Sequence, residues 1–158
     1  MSLVTLSKVS AIDTFTNKEF LIVIILNKGW LAFMKNISTL LAPAAVGPYS
    51  QAVCHGEYLF VSGQLGIDPS KGELVAEDAL LQMKQCLSNI SAIAEAAGTD
   101  ISKTIKTTIM VTNLSDFAKL NDVYATYFSS PFPARATFEV SALPKGALVA
   151  VDAIVALD

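Results

Sequence analysis

Read as a succession of apolar and polar positions, the chain becomes orderly from Leu41 onward. Gln51 to Cys54 and Tyr58 to Ser62 are short runs flanking His55-Gly56, the pattern of two strands joined by a turn. Gly63 follows, and Asp68-Pro69-Ser70-Lys71-Gly72 is a second turn, because proline fixes φ and glycine permits a tight reversal. Leu80, Met83, Leu87, Ile90, Ala94 and Ala97 then recur at three- and four-residue steps, the apolar stripe of a helix that Gly98 ends. Lys103 to Thr112 alternates instead, with Ile105, Thr107, Ile109 and Val111 on one face and Thr104, Lys106, Thr108 and Met110 on the other. A second helix is expected to start near Ser115 as N-cap, with Asp116 at the positive end of its dipole. Phe117, Leu120, Tyr124 and Tyr127 or Phe128 supply its buried side. Strands around Ala134 to Val140 and Leu148 to Leu157 close the chain. Five or six strands and two helices, in runs rather than strict alternation, predict an α+β fold with helices on one face of a sheet.

The first 33 residues break this pattern. Phe20 to Leu26 is an uninterrupted apolar run, yet a bilayer-spanning helix takes about 20 residues, so no membrane span is expected. No small-x-small cleavage site follows it. Residues 1–33 read as an N-terminal extension: an organelle presequence, an extra strand, or residues upstream of a natural start at Met34. Residues 34–158 read as the functional domain.

Composition narrows the function classes. At 53% hydrophobic and 16% charged, the chain has the makings of a globular core and not of a disordered segment. A net charge of −3 argues against the clustered lysines and arginines that a nucleic-acid surface needs. Cys54 and Cys86 have neither metal-ligand spacing nor a disulfide framework. Free thiols of a reducing compartment are expected, which places the protein in the cytoplasm, or in a mitochondrion or other organelle if the extension is a presequence. His55 is the single histidine, so a metal site or a two-histidine acid–base pair lacks its partners.

One residue stands out. Arg135 is the only arginine in the chain, delivered onto a strand by Pro131-Phe132-Pro133. Alternation puts it on one face with Thr137 and Glu139. A guanidinium offers two parallel donors and a permanent charge, which suits a small carboxylate. The competing reading is a surface salt bridge to Glu139 or Asp152, a kind of pair that stabilises little.

At this point the sequence resembles a known family. Ala42-Pro-Ala-Ala-Val-Gly-Pro-Tyr-Ser-Gln51, Val61-Ser-Gly-Gln64, Ala94-Glu-Ala-Ala-Gly98, Lys106-Thr-Thr108 with Val111, Leu114-Ser-Asp-Phe117 with Asn121, and Phe132-Pro-Ala-Arg135 are similar, in order, to the RidA family, also called YjgF or endoribonuclease L-PSP. The resemblance covers about residues 38 to 157. It implies a chorismate-mutase-like fold assembled as a homotrimer with a cleft between neighbouring subunits. It also implies hydrolysis of reactive 2-imino and 2-enamino acids to 2-oxo acids and ammonia, with no metal or organic cofactor. Carried over by motif, Arg135 holds the substrate carboxylate, Ser62 and Gly63 lie near the pocket floor, Tyr49 comes from its loop, and Asn121 from the second helix.

Two positions depart from the family pattern. Thr137 stands where the family often has cysteine, which keeps a small hydrogen-bonding group but no thiol. The glutamate slot on the last strand, which the resemblance assigns to positioning the attacking water, is Ala150. Asp152 is the next acidic side chain on that face, about 7 Å along the strand, and is a conjectural substitute. Three functions therefore compete: an imine deaminase, a non-catalytic binder of small carboxylates favoured by Ala150, and a ribonuclease of single-stranded RNA, against which the acidic charge counts.

Overall fold

The computed structural model describes residues 34–157. The reading of residues 1–33 lies outside them. Strands β1 (Lys35–Ile37), β2 (Ala52–His55), β3 (Tyr58–Leu65), β6 (Thr104–Val111), β7 (Ala134–Glu139) and β8 (Val149–Ala156) form a six-stranded sheet in the order β1-β2-β3-β8-β6-β7. Strands β4 (Ile67–Asp68) and β5 (Glu73–Leu74) make a small separate hairpin. Every pairing is antiparallel except β6 with β7. That parallel pair requires a crossover, which helix α2 (Phe117–Ala125) supplies. The expected α+β mixture of two helices and a mixed sheet is what the chain forms.

Helix α1 (Ala79–Ala96) begins where the Asp78 carboxylate accepts the Leu81 N–H at 2.8 Å, and Gly98 takes φ +84° just beyond its end. Its Met83, Cys86, Leu87, Ile90, Ile93 and Ala94 are buried, and they meet the sheet face of Leu59, Val61, Ile109, Val111, Val149, Val151 and Val155 in one hydrophobic cluster. Two polar side chains of α1 share this burial. Gln82 accepts the Leu148 N–H at 2.7 Å and donates to the Ala76 carbonyl at 2.7 Å. Asn89 donates to the carbonyls of Leu65 and Ile67, both at 3.1 Å. A Cβ on Gly66 would meet the Gln82 Cα at 2.5 Å, so the helix lies directly on the β3–β4 junction.

Four local expectations are corrected. Phe117, expected on the buried side of α2, is 39% exposed. The β6 register slips between Thr104 and Lys106, so Thr104 is buried and Ile105 turns outward, 43% exposed. Asp116, not Ser115, is the N-cap residue of α2, and its side chain makes no cap bond, its carboxylate pairing with Lys119 at 2.7 Å instead. Strand β3 does not end at Ser62 but runs to Leu65 through a bulge.

Candidate functional site

The bulge builds the first part of the site. Val61 pairs with Ala153 and Gln64 with Val151, so Ser62 and Gly63 together oppose the single residue Asp152 and have no register partner on β8. The Ser62 hydroxyl donates to the Ser50 carbonyl at 2.7 Å, and its N–H donates to the Gln51 carbonyl at 3.0 Å. Buried Gln51 in turn braces the preceding loop, accepting the Thr39 N–H at 2.7 Å and donating to the Pro43 carbonyl at 2.8 Å. Tyr49 stands on that loop, its N–H donated to the Gly47 carbonyl at 2.8 Å and its ring against Gly47.

Tyr49, Ser62, Gly63 and Ala150 line one cleft of about 610 Å³, together with Leu65 and Met110. Its lining is mostly apolar, and Lys145 is the one charged side chain among the described residues that line it. Lys145 adopts φ +58° and donates from Nζ to the Gly72 carbonyl at 3.3 Å, tying two rims of the cleft together.

Arg135 and Asn121 lie elsewhere, in a second cleft of about 460 Å³ lined also by Tyr124, Ala125, Phe132 and Pro133. Register explains the separation. Arg135 is beside Thr107 and Thr137 beside Ile109, both on the buried, helix-covered face, whereas Ala150 is beside Met110 on the opposite face. Arg135, Thr137 and Glu139 thus share a face as alternation predicts, while Ala150 and Asp152 face the other way. Thr137 is half-buried and lines neither cleft. Asp152 also lines neither, and its carboxylate accepts the Thr108 N–H at 3.1 Å.

The salt-bridge reading of Arg135 finds no partner: among the described residues no carboxylate lies within 4.0 Å of it. Glu139 instead accepts the Leu114 N–H at 2.9 Å. The guanidinium sits over aromatic faces, 4.9 Å from the Tyr124 ring centroid and 5.6 Å from that of Phe117. Burial pushes the Tyr124 phenol above its ordinary range, against the opposing pull of its Thr107 hydrogen bond and of Arg135. Both cysteines are free; burial pushes the Cys86 thiol far up, which leaves it unreactive. No group of three or more His, Cys, Asp or Glu fit to hold a metal occurs among the described residues. Nor is any described helix long and apolar enough to cross a membrane.

A family profile described as Endoribonuclease L-PSP matches residues 39–157. The chain belongs to this family. A RutC family protein, y4sK of Sinorhizobium fredii, is 60% identical over 121 residues, covering 77% of this chain and 96% of that one. The 2-iminobutanoate/2-iminopropanoate deaminase of Capra hircus is 50% identical over 118 residues, 75% of this chain and 86% of that one. Among solved structures, RidA from an Antarctic Psychrobacter matches with a TM-score of 0.75 and 47% identity, covering 78% of this chain and 99% of that one. The RidA family assignment read from the motifs therefore holds. Sequence reasoning missed Tyr124 as more than a core aromatic, and Gln51 and Lys145 as cleft residues. Gln51 was legible only as a motif letter in Pro-Tyr-Ser-Gln, and Lys145 lay outside the motifs altogether.

Proposed function

We propose that this RidA-family chain, through its domain of residues 34–158, hydrolyses small 2-imino acids to 2-oxo acids and ammonia. The observation that carries this is a guanidinium opening into a cleft with no carboxylate partner among the described residues. Arg135 binds the substrate carboxylate, Asn121 borders it in the same cleft, and Thr137, outside both clefts, shares the Arg135 face of β7. Ser62 and Gly63 form the floor facing the reacting carbon, and Tyr49 forms a wall. Water adds to the imine carbon, giving a carbinolamine; the nitrogen then takes a proton and leaves as ammonia, while the carbinolamine hydroxyl becomes the 2-oxo group. No metal or organic cofactor takes part. Asp152, hydrogen-bonded to Thr108 and outside both clefts, is a weaker proposal for assisting the water.

The two clefts open on opposite faces of one sheet, so no single small molecule reaches both within one chain. We therefore propose that the site is completed between subunits, in a homotrimer of chorismate-mutase-like domains. The exposed aromatics Tyr58, Phe60 and Phe138, on the face away from the helices, support such an assembly.

The test adds the protein to an amino-acid oxidase that generates the imine and follows 2-oxo acid release. Wild-type protein is expected to speed release, and Arg135→Ala to return it to the spontaneous rate; equal rates for the two would overturn the reading. Ala150 favours a second reading, a binder of 2-oxo acids without turnover, since alanine can neither orient nor deprotonate water. General acid–base help is worth about 10²–10⁴-fold, and imine hydrolysis is intrinsically easy, so turnover by positioning alone keeps deamination in front. The net charge of −3 keeps RNA cleavage behind both.

A further inference from the structure

Arg135 occupies β7, which among the described strands is an edge strand paired through β6, and is itself exposed. A long side chain there has many rotamers open to it, and a carboxylate anchor that wanders is a poor one. An ion pair would fix the guanidinium but would also occupy the donors that a substrate needs. The structure uses aromatic rings instead. Tyr124 is 4% exposed and packs against the Phe128 ring at a centroid separation of 4.5 Å. Its hydroxyl bonds the Thr107 hydroxyl at 2.9 Å, and Thr107 is fully buried and is the register partner of Arg135 itself. The ring is thus held by its hydroxyl and by Phe128, and its face lies under the guanidinium while Phe117 borders the same group from the start of α2. The phenol stays neutral because burial opposes its ionisation, so the ring attracts the cation without competing for its N–H groups.

We propose that Tyr124 is a positioning residue for Arg135, holding the guanidinium by the ring face so that its N–H edges remain open to a substrate carboxylate. The inference rests on the reading of Arg135 as that anchor, but its geometric half can be tested separately. Because Arg135 is the only arginine, its Nε–Hε group gives a single, unambiguous signal in a nitrogen–proton correlation spectrum of the full chain. In the wild type, ring currents are expected to displace the Hε signal upfield of free arginine. Tyr124→Leu should return it most of the way and weaken calorimetric binding of 2-oxobutanoate roughly tenfold, a size typical of a partly desolvated cation–π contact. Tyr124→Phe should keep the displacement and most of the affinity. Phe117→Leu, at a position 39% exposed, should give a smaller change of the same sign. An undisplaced wild-type signal overturns the proposal by itself, even if Tyr124→Leu fails to fold. So does a signal unmoved in Tyr124→Leu, or an equal loss in the phenylalanine variant. If Arg135→Ala binds 2-oxobutanoate as the wild type does, the deaminase reading falls while the Hε signal still decides the role of Tyr124.

Discussion

Ala150 lies on β8 at 4% exposure, beside Met110, at the edge of the larger cleft. A carboxylate introduced there enters an apolar lining, and desolvation raises its pKa toward neutrality, where a proton carrier works best. Ala150→Glu is therefore expected to raise oxidase-coupled turnover by about 10²-fold, the low end of general acid–base help. A rate unchanged from wild type would remove Ala150 from the glutamate slot. At this scale local motifs were legible and the direction of the side chains was not. Arg135, Ser62 and Gly63 are carried by short local motifs, and Arg135 shares a face with Thr137 as alternation requires. That Ala150 faces away from Arg135 depends on the register of β6 against two neighbours, and no residue pattern within one strand encodes it.

The elements around the cleft are locked by close backbone approach. Helix α1 passes over Gly66 so tightly that an added Cβ would lie 2.5 Å from the Gln82 Cα and 2.6 Å from its Cβ. Since backbone is involved, relief requires the helix to move. That shift strains the Asn89 bonds holding Leu65 and Ile67, which form part of the cleft wall. Gly66→Ala is expected to cost about 1–3 kcal/mol, lowering the melting temperature by roughly 2–10 °C. Gly63→Ala, with nothing within 4 Å of the added atom, should melt with the wild type; thermal scans of the pair check this. The α1 stripe was legible because three- and four-residue spacing needs no tertiary information. Burial of Gln82 and Asn89 was not, since polar residues beside an apolar stripe look solvent-facing until their carbonyl and amide partners are known. Ile105 misled in the same way: alternation assumes an unbroken ladder, and the slip after Thr104 reverses it.

For the whole molecule, the sheet presents helices to one side and exposed aromatics to the other. Phe138, 55% exposed and paired with Met110, and Phe60, 43% exposed, belong to the face away from the helices. If the proposed trimer forms through this face, Phe60→Asp with Phe138→Asp is expected to lower the mass seen by light scattering from trimer to monomer, and to abolish the proposed deamination with Arg135 untouched. An unchanged mass would rule this face out as the assembly surface. Fold class was readable because runs of strand and helix are local patterns. Assembly was not readable from those patterns, because an outward aromatic on a strand alternates alike whether it meets water or a neighbour.

The bulge at Ser62-Gly63 has one more consequence. Val61 and Gln64 both point into the core although three positions separate them, so the strand on either side of the bulge keeps the parity of a regular ladder with one residue removed. In genetic terms, the floor of the cleft is an insertion of one codon into a strand whose inward faces do not require it. Losing that codon would leave the core's alternation intact and erase the floor.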